Sequence, residues 1–345
     1  VAAVIFHPIE VSLIMDKTKL TKLFQQTCAL PILLLHGNET TGLLALQQLM
    51  TRFRNKMLPR SMSVLIGNVE AARHQLRRLD GQPDYNRIWC GEGGDEFAMA
   101  QEVLQEMTNR SVFAAVDVHN NSAPNPHYAM IPRLDPPCIA MGGMFSDKLV
   151  FFLQPGASIS TAFSDICPAI TIECGVSGDP QQTEITARLL ENLLHLDALP
   201  RESAPMDGLS FFQITAMLKV PPHLSFGFVA HESPELLFLL DPPRHNFQDM
   251  PQGTVFARCR MDHHRPTVRF TAIDENGQDL FTRFFSIQGS EIITSQSFVP
   301  AMLTLNRTII RQDCLGYVLE RIKHFPLPGI QMIDRRGAAP EGETL

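Results

Sequence analysis

An apolar run that stops abruptly at a histidine limits what this chain can fold into. Pro31-Ile-Leu-Leu-Leu35 leads without a break into His36-Gly-Asn-Glu39-Thr-Thr-Gly42. Five successive apolar or proline positions suit a strand covered on both faces, and ligand-binding groups of open α/β sheets collect at the carboxyl ends of such strands. A tight turn through Gly37 and Asn38 returns Glu39 beside His36. One nitrogen and one or two carboxylate oxygens then converge, which is half of a zinc site. The competing reading is a strand-to-helix turn whose polar residues only cap the next helix.

The pattern recurs twice. Val112 to Val118 reads as a strand ending in His119, and Ala169-Ile-Thr-Ile172 as one ending in Glu173 before a turn at Gly175. Between these runs the chain alternates strand and helix. Apolar residues from Leu43 to Phe53 recur at helical spacing, and Ser63 to Gly67 is a short strand. Asp95 is expected to cap a helix running through Met107, Tyr128 to Ile131 and Leu149 to Leu153 are further strands, and Asp179-Pro180 opens a helix whose leucine face reaches Leu196. This alternation predicts an α/β domain over residues 1–205. Beyond it, short strand-like runs separated by Pro, Gly and Asp predict a smaller β-rich domain over residues 206–330, and residues 331–345 read as a polar, frayed tail.

If the three strand ends share one sheet edge, two histidines and a carboxylate face a second carboxylate. That set suits hydrolysis: three protein ligands leave a fourth zinc position for water, and a free carboxylate takes the water's proton and passes it to a leaving nitrogen. Glu173 is the candidate for the proton shuttle.

Composition narrows the partners. A chain of 345 residues with 44% hydrophobic and 19% charged residues can bury a large core, and its formal charge of -7, without Lys/Arg clusters, offers no footprint for nucleic acid. No apolar stretch reaches the roughly 20 residues that a membrane helix needs. The N-terminus lacks the basic region, apolar core and cleavage site of a secretory signal. Seven cysteines without Cys-x-x-Cys spacing read as reduced thiols, so the expected location is cytoplasmic. A homodimer is the default assembly.

Four motifs in order, His36-Gly-Asn-Glu39, Asp84-Tyr-Asn86-Arg87, Asp117-Val-His119 and Glu173-Cys-Gly175, resemble the succinylglutamate desuccinylase/aspartoacylase family, the deacylase branch of the zinc carboxypeptidase fold. The resemblance covers about residues 31–195. It implies a mixed-sheet α/β/α domain, a smaller β-rich C-terminal domain, and hydrolysis of the amide bond of a small N-acyl amino acid. By similarity His36, Glu39 and His119 bind one Zn2+, Glu173 is general base and acid, and Asp84 orients the first zinc histidine. Asn86 and Arg87 match the pair that holds a substrate carboxylate. The family's oxyanion arginine falls on Arg77, although about two extra residues before Asp84 keep Arg78 open.

Two departures bear on substrate. Phe151 to Ile172 contains no arginine where aspartoacylase-type enzymes place one, and Tyr317, the only tyrosine beyond Tyr128, does not align with their substrate-gripping tyrosine. N-acyl-aspartate specificity is thus unsupported, while Pro126 to Pro132 has some likeness to the desuccinylase branch. Two further function classes stay open: a zinc carboxypeptidase acting on peptides, and a non-catalytic binding protein of the same fold. Elsewhere the plain readings are favoured. Arg73, Arg77 and Arg78 taken alone form a solvated basic face, Cys90 and Cys174 pack, and adjacent His263 and His264 point to opposite faces of a strand and do not share a metal. Asp117, on the same face as His119, either buttresses the site or caps a neighbouring strand.

Overall fold

The computed structural model describes residues 3–6, 29–152, 158–202, 204, 206–260 and 268–322. Its frame is an 11-stranded mixed sheet. In chain order the first strands are β1 (Ala3–Phe6), β2 (Ala29–Leu34), β3 (Ser61–Ile66), β4 (Ala115–Asn121), β5 (Tyr128–Ile131), β6 (Lys148–Phe151), β7 (Ala169–Val176) and β8 (Ser210–Lys219). They stand side by side as β1-β3-β2-β4-β7-β5-β6-β8. β2, β3, β4 and β7 run parallel, whereas β5 is antiparallel to β7.

The helices linking these strands are α1 (Thr41–Arg52), α2 (Val69–Arg73), α3 (Asp95–Thr108), α4 (Pro136–Phe145), α5 (Ile159–Phe163) and α6 (Pro180–His195). α1 and α6 pack together through Ala45, Leu46 and Leu49 on one helix and Leu189, Leu190, Leu193 and Leu194 on the other, positions three and four apart that share a helix face. With α4 they cover one face of the sheet, where Ile32, Val64, Val116 and Ile170 are buried. Ile159 and Phe163 of α5, Ala100 and Met107 of α3, and the Tyr85 to Trp89 segment cover the other. The expected α/β/α layering is therefore present. Coverage on both faces explains why β7 is buried at every position but its last, the polar Thr171 and Glu173 included.

Local signals agree in most places. Asp179 accepts from the Gln181 amide at the start of α6, with Pro180 in the first turn. At α3 the cap is Gly94 instead of Asp95. Asp95 and Glu96 sit in the first turn, where their charge meets the positive end of the helix dipole. The strand expected over 112–118 runs from Ala115 to Asn121, so His119 lies within it.

After residue 205 the chain does two things. It first continues the large sheet: β8 pairs with a late strand, which in turn pairs with another. The intervening strands are β9 (Phe226–Gly227), β10 (Leu236–Phe238), β11 (Val255–Cys259), β12 (Thr271–Ile273), β13 (Phe285–Gln288) and β14 (Glu291–Thr294), followed by β15 (Val299–Ala301), α7 (Arg307–Gln312) and β16 (Gly316–Arg321). β16 and then β15 extend the sheet beyond β8, and β12 also pairs with β8. The remaining strands form a second, five-stranded sheet, β13-β14-β11-β10-β9. A cluster of phenylalanines, Phe238, Phe256, Phe270 and Phe285 among them, packs this region with ring centroids about 5 to 6 Å apart. The β-rich character expected of the C-terminal region is present in its described residues, 206–260 and 268–322. We propose residue 205 as a border of composition, across which the large sheet runs on without a gap. Residues 331–345, like His263 and His264, lie outside the described residues. Among the described residues no helix is long and apolar enough to cross a membrane.

The strand order positions the site. β2 has β3 on one side and β4 on the other, so the chain reverses its winding direction at the carboxyl ends of β2 and β4, the place where open α/β sheets form a ligand crevice. The turn after β2 is tight. Gly37 is buried, and a Cβ there would lie 2.2 Å from the Ala72 amide nitrogen and 2.3 Å from the Ala71 carbonyl carbon at the end of α2. Both are backbone atoms and cannot rotate away. Gly37→Ala is therefore expected to cost about 1–3 kcal/mol or more by overpacking, read as a lower denaturant midpoint with an unchanged slope.

Candidate active site

Three adjacent parallel strands deliver the chemistry. His36 follows β2, His119 lies near the end of β4, and Glu173 is its direct partner across the β4–β7 ladder. The turn expected after His36 is present: the Glu39 amide donates to the His36 carbonyl at 3.3 Å, and Glu39 Oε1 comes within 2.8 Å of His36 Nδ1. Glu39 Oε2 lies 2.7 Å from His119 Nδ1. The His36 and His119 rings are 4.8 Å apart at 61°, edge to face. One ligand atom from each of His36, Glu39 and His119 thus falls within 4.8 Å of the others.

The outward nitrogens are held by carboxylates. Asp84 Oδ1 accepts from His36 Nε2 at 3.0 Å, and Asp117 Oδ2 accepts from His119 Nε2 at 2.8 Å. Each carboxylate fixes its ring and leaves Nδ1 to face Glu39. Asp84 is anchored in turn by the Asn86 amide and by Arg77, whose Nε and Nη2 donate to Oδ2 at 3.1 and 2.9 Å. Asp117, fully buried, also accepts from Thr171 Oγ1. Asp117 thus holds the His119 ring and also ties into the neighbouring strand β7.

Electrostatics follow from this packing. Burial pushes the Glu39 carboxyl up, but the two imidazoles override it and hold the group far below the usual carboxylate range. Asp84 is likewise depressed, by His36 and Arg77 acting against its burial. Burial pushes His119 down, while Asp117 and Glu39 together raise it well above an ordinary imidazole. Two imidazoles and a carboxylate converging in a buried pocket form the donor set that zinc takes in open sites, and the cluster fits the ion. Glu39 Oε2 supports this. It is buried and makes no hydrogen bond, although His119 Nδ1 is only 2.7 Å away, so two ligand atoms approach closely without the alignment a proton needs.

Glu173 sits across a cavity of about 290 Å³ whose lining includes all three cluster residues. Burial raises its pKa to about 8, well above an ordinary glutamate. Its Oε2 accepts from Asn121 Nδ2 at 2.9 Å, and Asn121 also donates to the Tyr128 hydroxyl. A register shift between His119 and Asn121 is what turns these side chains. Asn120 reaches Thr41 and the Gly175 carbonyl, and Asn121 reaches Glu173.

The remaining sequence candidates also meet here. Arg77 lines the cavity, 3.5 Å from Glu39 Oε1, whereas Arg78 folds back to donate to the Gln82 carbonyl. Of those two arginines it is Arg77 that reaches the centre. Asn86 Oδ1 accepts from the Ile159 amide and its Nδ2 lies 3.4 Å from His119 Nε2, while Arg87 opens onto the cavity beside it. Arg73 pairs with Glu70 in solvent, and Cys174 is buried with Thr186 Oγ1 donating to its sulfur. Both keep their plain readings. Residues that sequence reasoning passed over are Asn121, Thr171, Met302, Thr304 and Asp313, and Tyr317, which resisted alignment, is buried in the cavity wall.

Fold and site together define a class: mixed-sheet α/β/α proteins with a buried three-donor centre at the switch point and a second carboxylate facing it. Residues 35–196 match the model of the succinylglutamate desuccinylase/aspartoacylase catalytic domain. No curated protein matches the chain. Among solved structures, succinylglutamate desuccinylase from Chromobacterium violaceum is similar over 88% of this chain and 86% of its own, at 17% identity and a TM-score of 0.57. Murine aminoacylase 3 is similar over 86% of this chain and 95% of its own, at 14% identity and a TM-score of 0.56. A product-bound ectoine utilization protein from Ruegeria pomeroyi is similar over 85% of each chain, at 15% identity and a TM-score of 0.53. At these identities the likeness is one of fold.

Proposed function

We propose that this protein is a zinc-dependent amidohydrolase that releases an amino acid from a small N-acyl derivative. One observation carries the reading: the convergence of His36, Glu39 and His119 opposite buried Glu173 in a single cavity. The family match and the names of similar proteins, a succinylglutamate desuccinylase and an aminoacylase, support the same chemistry.

His36, Glu39 and His119 would hold one Zn2+, with Asp84 and Asp117 keeping the rings in the productive tautomer. When bound, the ion lowers the pKa of water towards neutrality and polarises the carbonyl under attack. Glu173 takes the proton from the attacking water and returns it to the departing nitrogen, a role suited to a carboxyl whose pKa lies near neutrality. Arg77, pinned by Asp84, presents its remaining N–H groups to the developing oxyanion. Asn86 and Arg87 hold the substrate carboxylate, for which a planar guanidinium offers paired donors.

The C-terminal residues Met302, Thr304, Ile309 and Tyr317 line the same cavity, and its volume favours a small substrate over a peptide chain. A cytoplasmic homodimer completes the proposal.

The test pairs elemental analysis of protein purified without added metal with amino acid release from N-succinyl, N-acetyl and N-formyl amino acids. One zinc per chain and turnover on a panel member are expected. Zinc without turnover on any of them would remove the substrate class, and failure to take up zinc on reconstitution would remove the central claim.

A further inference from the structure

We propose that Asp313 sets the amino acid specificity of this centre by excluding dicarboxylic amino acids, so that the favoured substrates are N-acyl amino acids with no carboxylate in the side chain. This rests on the deacylase reading above and narrows it.

Asp313 lies outside the matched segment, directly after α7, yet it faces the cavity. Its place is fixed from both sides: its amide donates to the Ile309 carbonyl at 2.7 Å, and the Leu315 amide donates to Leu218 in β8 at 2.8 Å. The carboxylate stands between two guanidinium groups, with Oδ2 3.9 Å from Arg77 Nη2 and Oδ1 3.8 Å from Arg87 Nη2. Both separations exceed a hydrogen bond, so Arg87 keeps donors for a substrate carboxylate while sharing its charge with Asp313.

A charge count across the cavity explains the selectivity. Among the described lining residues the only Lys or Arg side chains are Arg77 and Arg87. Arg77 is committed to Asp84 through two hydrogen bonds, and Asp313 offsets much of what remains. One substrate carboxylate can be held by Arg87. A second, on a glutamate or aspartate side chain, finds no further Lys or Arg among the described lining residues: from the segment before Glu173 these are Phe152, Ser158 and Thr171, all uncharged. It meets Asp313 instead, in a partly desolvated pocket where a like-charge contact is costly.

The discriminating measurement is kcat/KM of the zinc-loaded full chain on two near-isosteric pairs, N-acetylglutamine with N-acetylglutamate and N-succinylglutamine with N-succinylglutamate. Wild type is expected to favour the glutamine derivative. Asp313→Asn should shrink that preference by about 10- to 100-fold, the range of one close like-charge contact, and Asp313→Glu should keep it. Because the ratio is taken within one preparation, a general loss of activity cancels. An unchanged ratio in Asp313→Asn, or a wild type that prefers the glutamate derivatives, overturns the proposal. If no derivative is cleaved, the deacylase reading fails by itself. Calorimetric binding of free glutamine and glutamate to wild type and Asp313→Asn then reads the same preference, and equal discrimination by both proteins overturns the role of Asp313.

Discussion

Glu173→Gln is expected to lower kcat by about 10²- to 10⁴-fold while leaving zinc content at the wild-type level. The substitution keeps shape and can keep the hydrogen bond from Asn121, but it removes the group that accepts a proton. Turnover within a few-fold of wild type would dismiss Glu173 as the shuttle. The same variant carries a stability signature. In the metal-free protein burial raises the Glu173 pKa to about 8, whereas the ordinary value is 4.5. The folded state thus keeps a proton that the unfolded chain gives up above pH 4.5, and stability falls as pH rises between those values. The neutral amide of the variant has no proton to lose in either state. With chelator present, Glu173→Gln should be more stable than wild type at about pH 8.5 by up to a few kcal/mol, and the gap should close as pH falls to about 4.5. Denaturant midpoints at the two pH values measure it, and a gap that does not depend on pH would contradict the assignment.

His119→Ala and Asp117→Asn separate binding the metal from positioning its ligand. The first deletes one of three donors at the centre of a buried pocket. The second leaves all three but removes the carboxylate that fixes the His119 ring. Asp117→Asn should weaken zinc by about 10- to 100-fold, and His119→Ala by more than that, enough to leave protein purified without added metal short of one equivalent. Competition with a chromophoric chelator ranks the three proteins. Equal affinity in wild type and His119→Ala would mean that the ion sits elsewhere. Zinc should also raise the unfolding midpoint of wild type, because ligand that binds only the folded state stabilises it, and this gain should be much reduced in His119→Ala.

Much of this centre is legible in the chain because apolar strands buried on both faces leave a plain mark, and the polar residue at which each run stops stands out. His36, His119 and Glu173 were visible in that way, and the short loop to Glu39 was tight enough to bring it back by local geometry alone. Other features depend on register. The shift between His119 and Asn121 decides that Asn120 faces Thr41 and Asn121 faces Glu173, and no residue pattern announces a bulge there. The choice between Arg77 and Arg78 was of the same kind: two adjacent arginines differ in nothing until the backbone turns one towards Asp84 and the other towards the Gln82 carbonyl.

Residue periodicity and composition by themselves marked the alternation of strand and helix in the first part of the chain, the three strand-end donors, and a net charge of -7. Each is a local property: burial on two faces, spacing along a helix, or charge summed over the chain. Only the tertiary structure decided that β2, β4 and β7 lie side by side with their carboxyl ends together, and that β8, β16 and β15 carry the large sheet past the change in composition. It also decided that Asp313 and Tyr317, far along the chain from the motifs, close the cavity. Such contacts depend on strand pairing between distant segments, and the free energy of that pairing resides in the assembled sheet and its two packed faces, where no single stretch of sequence records it.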